Sequence, residues 1–205
     1  TCSKLLQIYF DVRGRCEGIH ILLVDQGAEW NEEVLIFDQW LKGDQKAKPV
    51  FGQLPGFQDG DLVFYQSNAI MRYLARKHVV SPGEIPMHGF QNYEEGKVPA
   101  ELKHFEHALH ENNNGQNFIV GDKFLFADFN LVDLLHNHLM LAPECFKEFP
   151  LLSGYVKRIS SRPKIKAFLS SDAHQWKWQA VTQIAVNDKL PKATKLFYGN
   201  SLFLA

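Results

Sequence analysis

Apolar positions in the first eighty residues come in short blocks separated by turn residues. Leu5–Phe10 (LLQIYF) is an apolar, aromatic run of strand length. Residues 15–26 carry Cys16, Ile19, Ile21, Leu22, Leu23 and Val24 before Gly27, which predicts a helix stopped by glycine. Residues 32–37 read as a second strand. After a polar loop containing Trp40 and Lys46 come two more, 56–58 and 62–65, with Asp59-Gly60 as the hairpin-turn signal between them. Ser67 is placed to cap a helix running through Ile70, Met71 and Leu74. The order β-α-β followed by β-β-α predicts a thioredoxin-like α/β domain over residues 1–79.

Beyond Val79 the period changes. Helical patterns cover 100–111, 128–141 and 151–169, punctuated by Asn112-Asn113-Asn114-Gly115, Pro143, Pro150 and Pro163. This predicts an all-α C-terminal domain over 80–205, with an atypical tail at 171–205. The chain has no internal repeat and no low-complexity tract.

Composition narrows the classes of function. A chain of 205 residues that is 45% hydrophobic and 22% charged can build one large core or two small ones. Its 22 Lys+Arg against 23 Asp+Glu give a net charge of -1 with no basic run, which argues against nucleic acid and anionic membrane as partners. No apolar stretch approaches membrane-spanning length. Three cysteines, Cys2, Cys16 and Cys145, lack metal-ligand spacing and point to a reducing compartment, the cytoplasm. The chain starts at Thr1, so a removed leader stays open. His104, His107 and His110 recur every third residue, and His136 and His138 follow on the next helix. They spread around the helix without a completing Cys or carboxylate pair and are expected on solvated faces, so no metal is expected.

Six segments together carry a resemblance: YFDVRGRC, EEVLIFDQW, FGQLPGFQDGDL, YQSNAIMRYL, FIVGDKFLFADFNLVDLL and LAPECFKEFPLLSGYVKRISSRPKIKAFLSS. In that order they resemble a cytosolic glutathione transferase of the pi class over about residues 5–171. The resemblance implies an enzyme of detoxification that conjugates the thiolate of glutathione, its co-substrate, to electrophilic small molecules, in general as a homodimer. Two other readings stay open: a non-catalytic protein of the same fold that binds ligands, and a deletion variant that folds poorly and has little activity.

The resemblance also assigns roles. Tyr9, at the end of the first strand, corresponds to the catalytic hydroxyl that stabilises the thiolate; read alone it would be a core aromatic. Arg15 is a cation at the unfavourable end of a helix, which a ligand carboxylate would explain. Leu54-Pro55 is expected to be cis, so that the Leu54 main chain pairs with the cysteinyl part of glutathione. Gln66 and Ser67 offer donors at a helix start for the γ-glutamyl carboxylate. Trp40, Lys46 and Gln53 match positions that hold the glycyl carboxylate. Phe10, Val12 and Phe90 are the expected wall of the electrophile pocket.

Departures from the pattern carry expectations of their own. Between Leu74 and Tyr93 the chain is too short for a helix of roughly twenty residues, ~30 Å long, that the family uses for its dimer contact. The dimer is therefore expected to be weakened. Phe51 stands for the aromatic key of that interface. Asp11 replaces a proline beside the site, where its charge would oppose thiolate formation. Leu125 stands where a helix-capping hydroxyl belongs, a loss expected to cost ~1 kcal/mol, while Asp128 and the Phe124/Phe129 pair remain.

Overall fold

The computed structural model describes residues 5–36, 40, 46, 49, 52–78, 98–141, 143–172, 174 and 175. Four strands form one mixed sheet in the order β2-β1-β3-β4: β1 is Leu5–Phe10, β2 Trp30–Leu35, β3 Gly56–Asp59 and β4 Leu62–Tyr65. β1 runs parallel to β2 and antiparallel to β3, as a βαβ unit followed by a hairpin requires. The second strand begins two residues earlier than the apolar pattern indicated, because Trp30 pairs with Leu5. In the hairpin the two residues between Asp59 and Leu62 are Gly60 and Asp61, with Gly60 at φ +62°. Glycine therefore leads the turn rather than ending it.

A 3-10 turn, Gly14–Cys16, opens into α1 (Glu17–Gln26), which stops at Gly27 in the left-handed conformation. α2 (Ser67–Lys77) follows the hairpin. The rest of the described chain is helical: α3 (Val98–Glu111), a 3-10 turn at Asn113–Gly115, α4 (Phe126–Leu141), α5 (Pro150–Ser160) and α6 (Pro163–Leu169). The single helix expected over 151–169 is two, because Pro163 opens a new first turn after Arg162 takes an extended conformation. An α/β N-terminal half is thus followed by an all-α half. The expected boundary at residue 79, the missing long helix, Phe51, Phe90 and the tail beyond Gln175 lie outside the described residues.

α4 answers the question of its lost cap. Leu125 precedes the helix, and Asp128 accepts the Leu125 N–H at 2.7 Å, the Ile119 N–H at 2.9 Å and the Tyr155 hydroxyl at 2.6 Å. Phe124 and Phe129 meet at a tilt across the helix start, ring centroids 4.4 Å apart, as an apolar staple. Half of the reciprocal cap is intact. Leu125 itself is buried, which is worth ~1.5–3 kcal/mol and offsets the ~1 kcal/mol of the absent hydroxyl. The expected loss is therefore recovered as packing. α5, whose N-cap makes no side-chain cap bond, is capped instead from α3: Glu106 accepts the Leu151 and Leu152 N–H groups at 2.9 and 2.8 Å.

One continuous core crosses both halves. Ile19, Ile21, Leu22 and Leu23 of α1 pack with Phe57, with Ile70, Met71 and Leu74 of α2, and with Phe129, Val132 and Leu135 of α4. Residues 17–23 are all buried, so α1 has no wet face along its first two turns. Charges lie in this seam. Glu17 is fully buried and meets Arg13 Nε at 3.3 Å, His20 Nδ1 at 3.6 Å and His174 Nε2 at 2.6 Å. Arg13 continues to Asp133 of α4 at 3.3 Å, and His20 to Glu32 of β2 at 3.2 Å. At the other end of α1, Arg162 holds Asp25 with two bonds of 2.8 Å.

Burial would raise the Glu17 carboxyl, but Arg13 and the two imidazoles hold it well below the ordinary carboxylate range. Burial pulls His20 down, yet Glu17 and Glu32 outweigh it, and its pKa is raised. A histidine raised in the folded state contributes stability that is full below its ordinary value and is lost as pH rises through the folded one. His20→Gln should therefore lower the denaturation midpoint more at about pH 6 than at about pH 9. Paired chemical denaturation curves at both pH values check this, and an equal difference at the two would refute the ion pairing of His20.

Candidate functional site

β1 is longer than its pairing with β3. Leu5 to Ile8 pair with Asp59 to Gly56, while Tyr9 and Phe10 overhang the start of β3 and still pair with Val34 and Leu35 of β2. Leu54 and Pro55, joined by a cis peptide bond, fill the chain just ahead of β3. The overhang creates a second buried cluster, separate from the main core: Tyr9, Phe10, Val12, Cys16, Trp40 and Leu54. Five of the residues singled out from the sequence are thus in one place. Trp40 meets Phe10 edge to face at 5.9 Å, and Tyr9 lies 5.5 Å from Phe10.

The Tyr9 hydroxyl is the polar centre of this cluster. The side chain is only 5% exposed, and its oxygen accepts the backbone N–H of Arg15 at 3.3 Å. A donor that is itself accepting a hydrogen bond donates more strongly. Gly14 makes the approach feasible. It sits at φ +45°, and a Cβ there would lie 2.5 Å from the hydroxyl oxygen, so an L side chain is excluded by conformation and by contact. Arg15 is half-buried in the 3-10 turn, two residues ahead of the first residue of α1. Asp11 is exposed, so solvent screens the charge expected to oppose a thiolate.

The second part of the site lies across from it. Gln66 Nε2 donates to Gln53 Oε1 at 3.0 Å, and the Gln66 N–H reaches the Pro55 carbonyl at 3.3 Å. Gln53, Leu54, Pro55 and Gln66 form one patch. Ser67 is the first residue of α2, not its cap; the N-cap is Gln66, which makes no side-chain cap bond. The expected capping role of Ser67 is corrected by one position. Gln66 holds φ +81°, ψ +117°, a conformation costly for a residue with a Cβ and of the kind that clusters at ligand-binding positions. Lys46 is exposed and runs beside Gly52, whose hypothetical Cβ would lie 3.9 Å from the Lys46 stem.

Other expectations on histidine change. His104, His107 and His110 are exposed on α3 as read. His138 is buried, with Nδ1 2.8 Å from the Leu134 carbonyl, and half-buried His136 lies 2.9 Å from the Ser160 hydroxyl. These two are not on a solvated face, because α4 is packed on several sides. Burial, aided by Arg13, pushes His136 down to about 4. Sequence reasoning missed Arg13, Glu17, His20, Asp133 and His174 altogether. The i, i+4 spacing of Arg13 and Glu17 at the head of an apolar helix was the available signal for a buried acid.

Comparison with known proteins gives the same reading over most of the chain. The family described as glutathione S-transferase, N-terminal domain, matches residues 7–76, and that described as glutathione S-transferase, C-terminal domain, matches 88–172. Glutathione S-transferase P 1 of Bufo bufo is 52% identical over 194 residues, covering 82% of this chain and 92% of that protein. Glutathione S-transferase P of Bos taurus is 48% identical over 193 residues, with the same coverage. Among solved structures, the pi-class glutathione S-transferase of Onchocerca volvulus superposes with a TM-score of 0.71 at 32% identity, covering 87% of this chain and 95% of that one. With both halves matched, in order and at this identity, the chain belongs to the pi class of the glutathione S-transferases, enzymes that join the thiol of glutathione to electrophilic compounds.

Proposed function

We propose that this transferase activates the glutathione thiol with Tyr9 and holds the tripeptide with Arg15, Trp40, Lys46, Gln53, Leu54, Gln66 and Ser67. The observation that carries the reading is the Tyr9 hydroxyl, buried at the overhanging end of β1 with Gly14 shaped around it and the Arg15 N–H bonded to it. A free thiol of ordinary pKa, ~8.5, is only a few per cent thiolate at neutral pH, so a donor aimed at the sulfur raises the reactive fraction. Glutathione supplies the nucleophile; the protein supplies the donor and the frame.

The rest of the site fits the tripeptide by chemistry. Gln66 and the first N–H groups of α2 favour one carboxylate. Lys46, Gln53 and the Trp40 indole suit another, and the Leu54 main chain just ahead of β3 suits the peptide between. Phe10 and Val12 supply the apolar side facing the electrophile, with Phe90 as a further wall. The two domains of this reading meet between α2 and α3, with the α/β part ending near residue 79.

Two outcomes test the catalytic assignment. Tyr9→Phe removes a hydrogen bond to a charged acceptor and should lower kcat/KM about 10- to 100-fold, while glutathione affinity changes less than about twofold. Gly14→Ala should act in the same direction by pushing the hydroxyl aside. Conjugation rates and calorimetric titration with glutathione measure both; unchanged conjugation by Tyr9→Phe would remove Tyr9 from the chemistry.

The reading extends to assembly and location. A homodimer weaker than that of full-length relatives is proposed, supported by Leu62 and Val63, each 47% exposed on edge strand β4. The cytoplasm suits the free thiols of Cys16 and Cys145. Fractionation of expressing cells followed by sedimentation at several concentrations should find cytoplasmic protein whose dimer dissociates on dilution; a concentration-independent dimer would contradict the weakening.

A further inference from the structure

We propose that Glu17 is a positioning residue for thiol activation, its buried carboxylate clamping the turn that presents Gly14 and the Arg15 N–H to the Tyr9 hydroxyl. The proposal rests on the assignment of Tyr9 as the thiol-activating group. Its basis is the geometry of five residues. Arg13 and Glu17 bracket the 3-10 turn and face each other at 3.3 Å, both almost wholly inaccessible. Between them lie Gly14, whose hypothetical Cβ would touch the Tyr9 oxygen, and Arg15, whose N–H donates to it. A shift of a few tenths of an ångström in this turn changes a hydrogen bond already at 3.3 Å.

The clamp is fastened from outside the turn at two points, both in the helical half. Arg13 reaches Asp133 on α4. Glu17 takes Nε2 of His174, whose Nδ1 lies 3.1 Å from the Leu169 carbonyl at the end of α6. Both ring nitrogens of His174 therefore face oxygen atoms, one on each side of the seam. The short segment after α6 is thus joined to the start of α1, 157 residues away in sequence. This contact makes the helical half a support for an atom of the α/β half.

The charged groups around Glu17 set how the clamp responds to pH. Arg13 faces it from the turn, His20 from α1 with Glu32 of β2 behind it, and His174 from beyond α6. Asp133 and His136 face Arg13 from α4. Burial pushes Asp133 up to about 7, with Glu17 adding to the effect and Arg13 opposing it. The Glu17 carboxyl, held low by Arg13 and the imidazoles, stays ionised through the working range. Glu17→Gln is therefore a replacement of similar shape that removes the charge and weakens the hold on Arg13 and His174.

The test is the titration of the glutathione thiol in its complex with the protein, read by thiolate ultraviolet absorbance against pH, beside calorimetric glutathione affinity and the kcat/KM profile. Glu17→Gln should move the thiol titration up by about half a unit to one unit and lower kcat/KM near neutral pH about 3- to 10-fold, with affinity within about twofold. His174→Gln, which keeps a donor but loses the ring that spans Glu17 and the Leu169 carbonyl, should give a smaller shift in the same direction and serves if Glu17→Gln fails to fold. A variant that melts lower but titrates the thiol as the wild type does would make Glu17 merely structural and overturn the proposal. Tyr9→Phe in the same titration separates the two ideas. If it leaves the thiol unchanged, the Tyr9 assignment fails; if it shifts the thiol while Glu17→Gln and His174→Gln do not, only the clamp fails.

Discussion

α1 is buried all round along its first two turns, and most of the architecture follows from that. A helix packed among the sheet core, α2, α4 and α6 leaves little water for the charges at its ends. Its first residue is an acid and its last turn holds another, so each needs a partner of opposite charge within the protein. Glu17 finds Arg13 and His174; Asp25 finds the fork of Arg162. All of these but Arg13 come from the helical half. The two halves are therefore joined by complementary burial along one helix, apolar in the middle and ionic at both ends.

The site owes its position to a mismatch in strand length. Because β3 starts opposite Ile8, the last two residues of β1 have a neighbour on one side only, and the opposite side is open to the chain at Leu54 and Pro55. Side chains there are held by a rigid strand, yet lie beyond the last rung of pairing, where a ligand backbone can approach. The overhang places a hydroxyl. The turn after it supplies what the hydroxyl accepts. The apolar side chains at this end, Tyr9, Phe10, Val12, Cys16, Trp40 and Leu54, form a cluster apart from the main core.

Much of this was legible in the chain because the signals were local. The apolar block of β1, the glycine at 27, the prolines at 150 and 163 and the Phe124/Phe129 staple each act within a few residues, and each is where its local rule puts it. Errors came where a rule was right in kind and wrong by one step. Gly60 leads its turn, and Gln66 takes the cap position with a strained backbone that no propensity would assign to glutamine. What the sequence could not offer was the seam. Glu17 and His174 look like a surface acid on a helix start and a stray histidine in a polar tail, and only the closing of α6 onto α1 makes them partners. The same holds for Leu125, which reads as a lost cap until its burial is known.

A residue pattern for binding and a residue pattern for activation are therefore not equally exposed to changes in the helical half. The groups assigned to the tripeptide lie in the turn after β1, the chain ahead of β3 and the start of α2, and their hydrogen bonds close within that half, as Gln66 to Gln53 and Gln66 to Pro55 do. Activation is different in kind. In the proposed clamp the Tyr9 hydroxyl is presented by a turn whose charged ends are held by α4 and by the segment after α6, so its strength would be set partly by the helical half. Under the proposed assignment, a chain that alters its helical half without touching the sheet would keep the means to hold glutathione, while the reactivity of the thiol would follow how well the seam is closed.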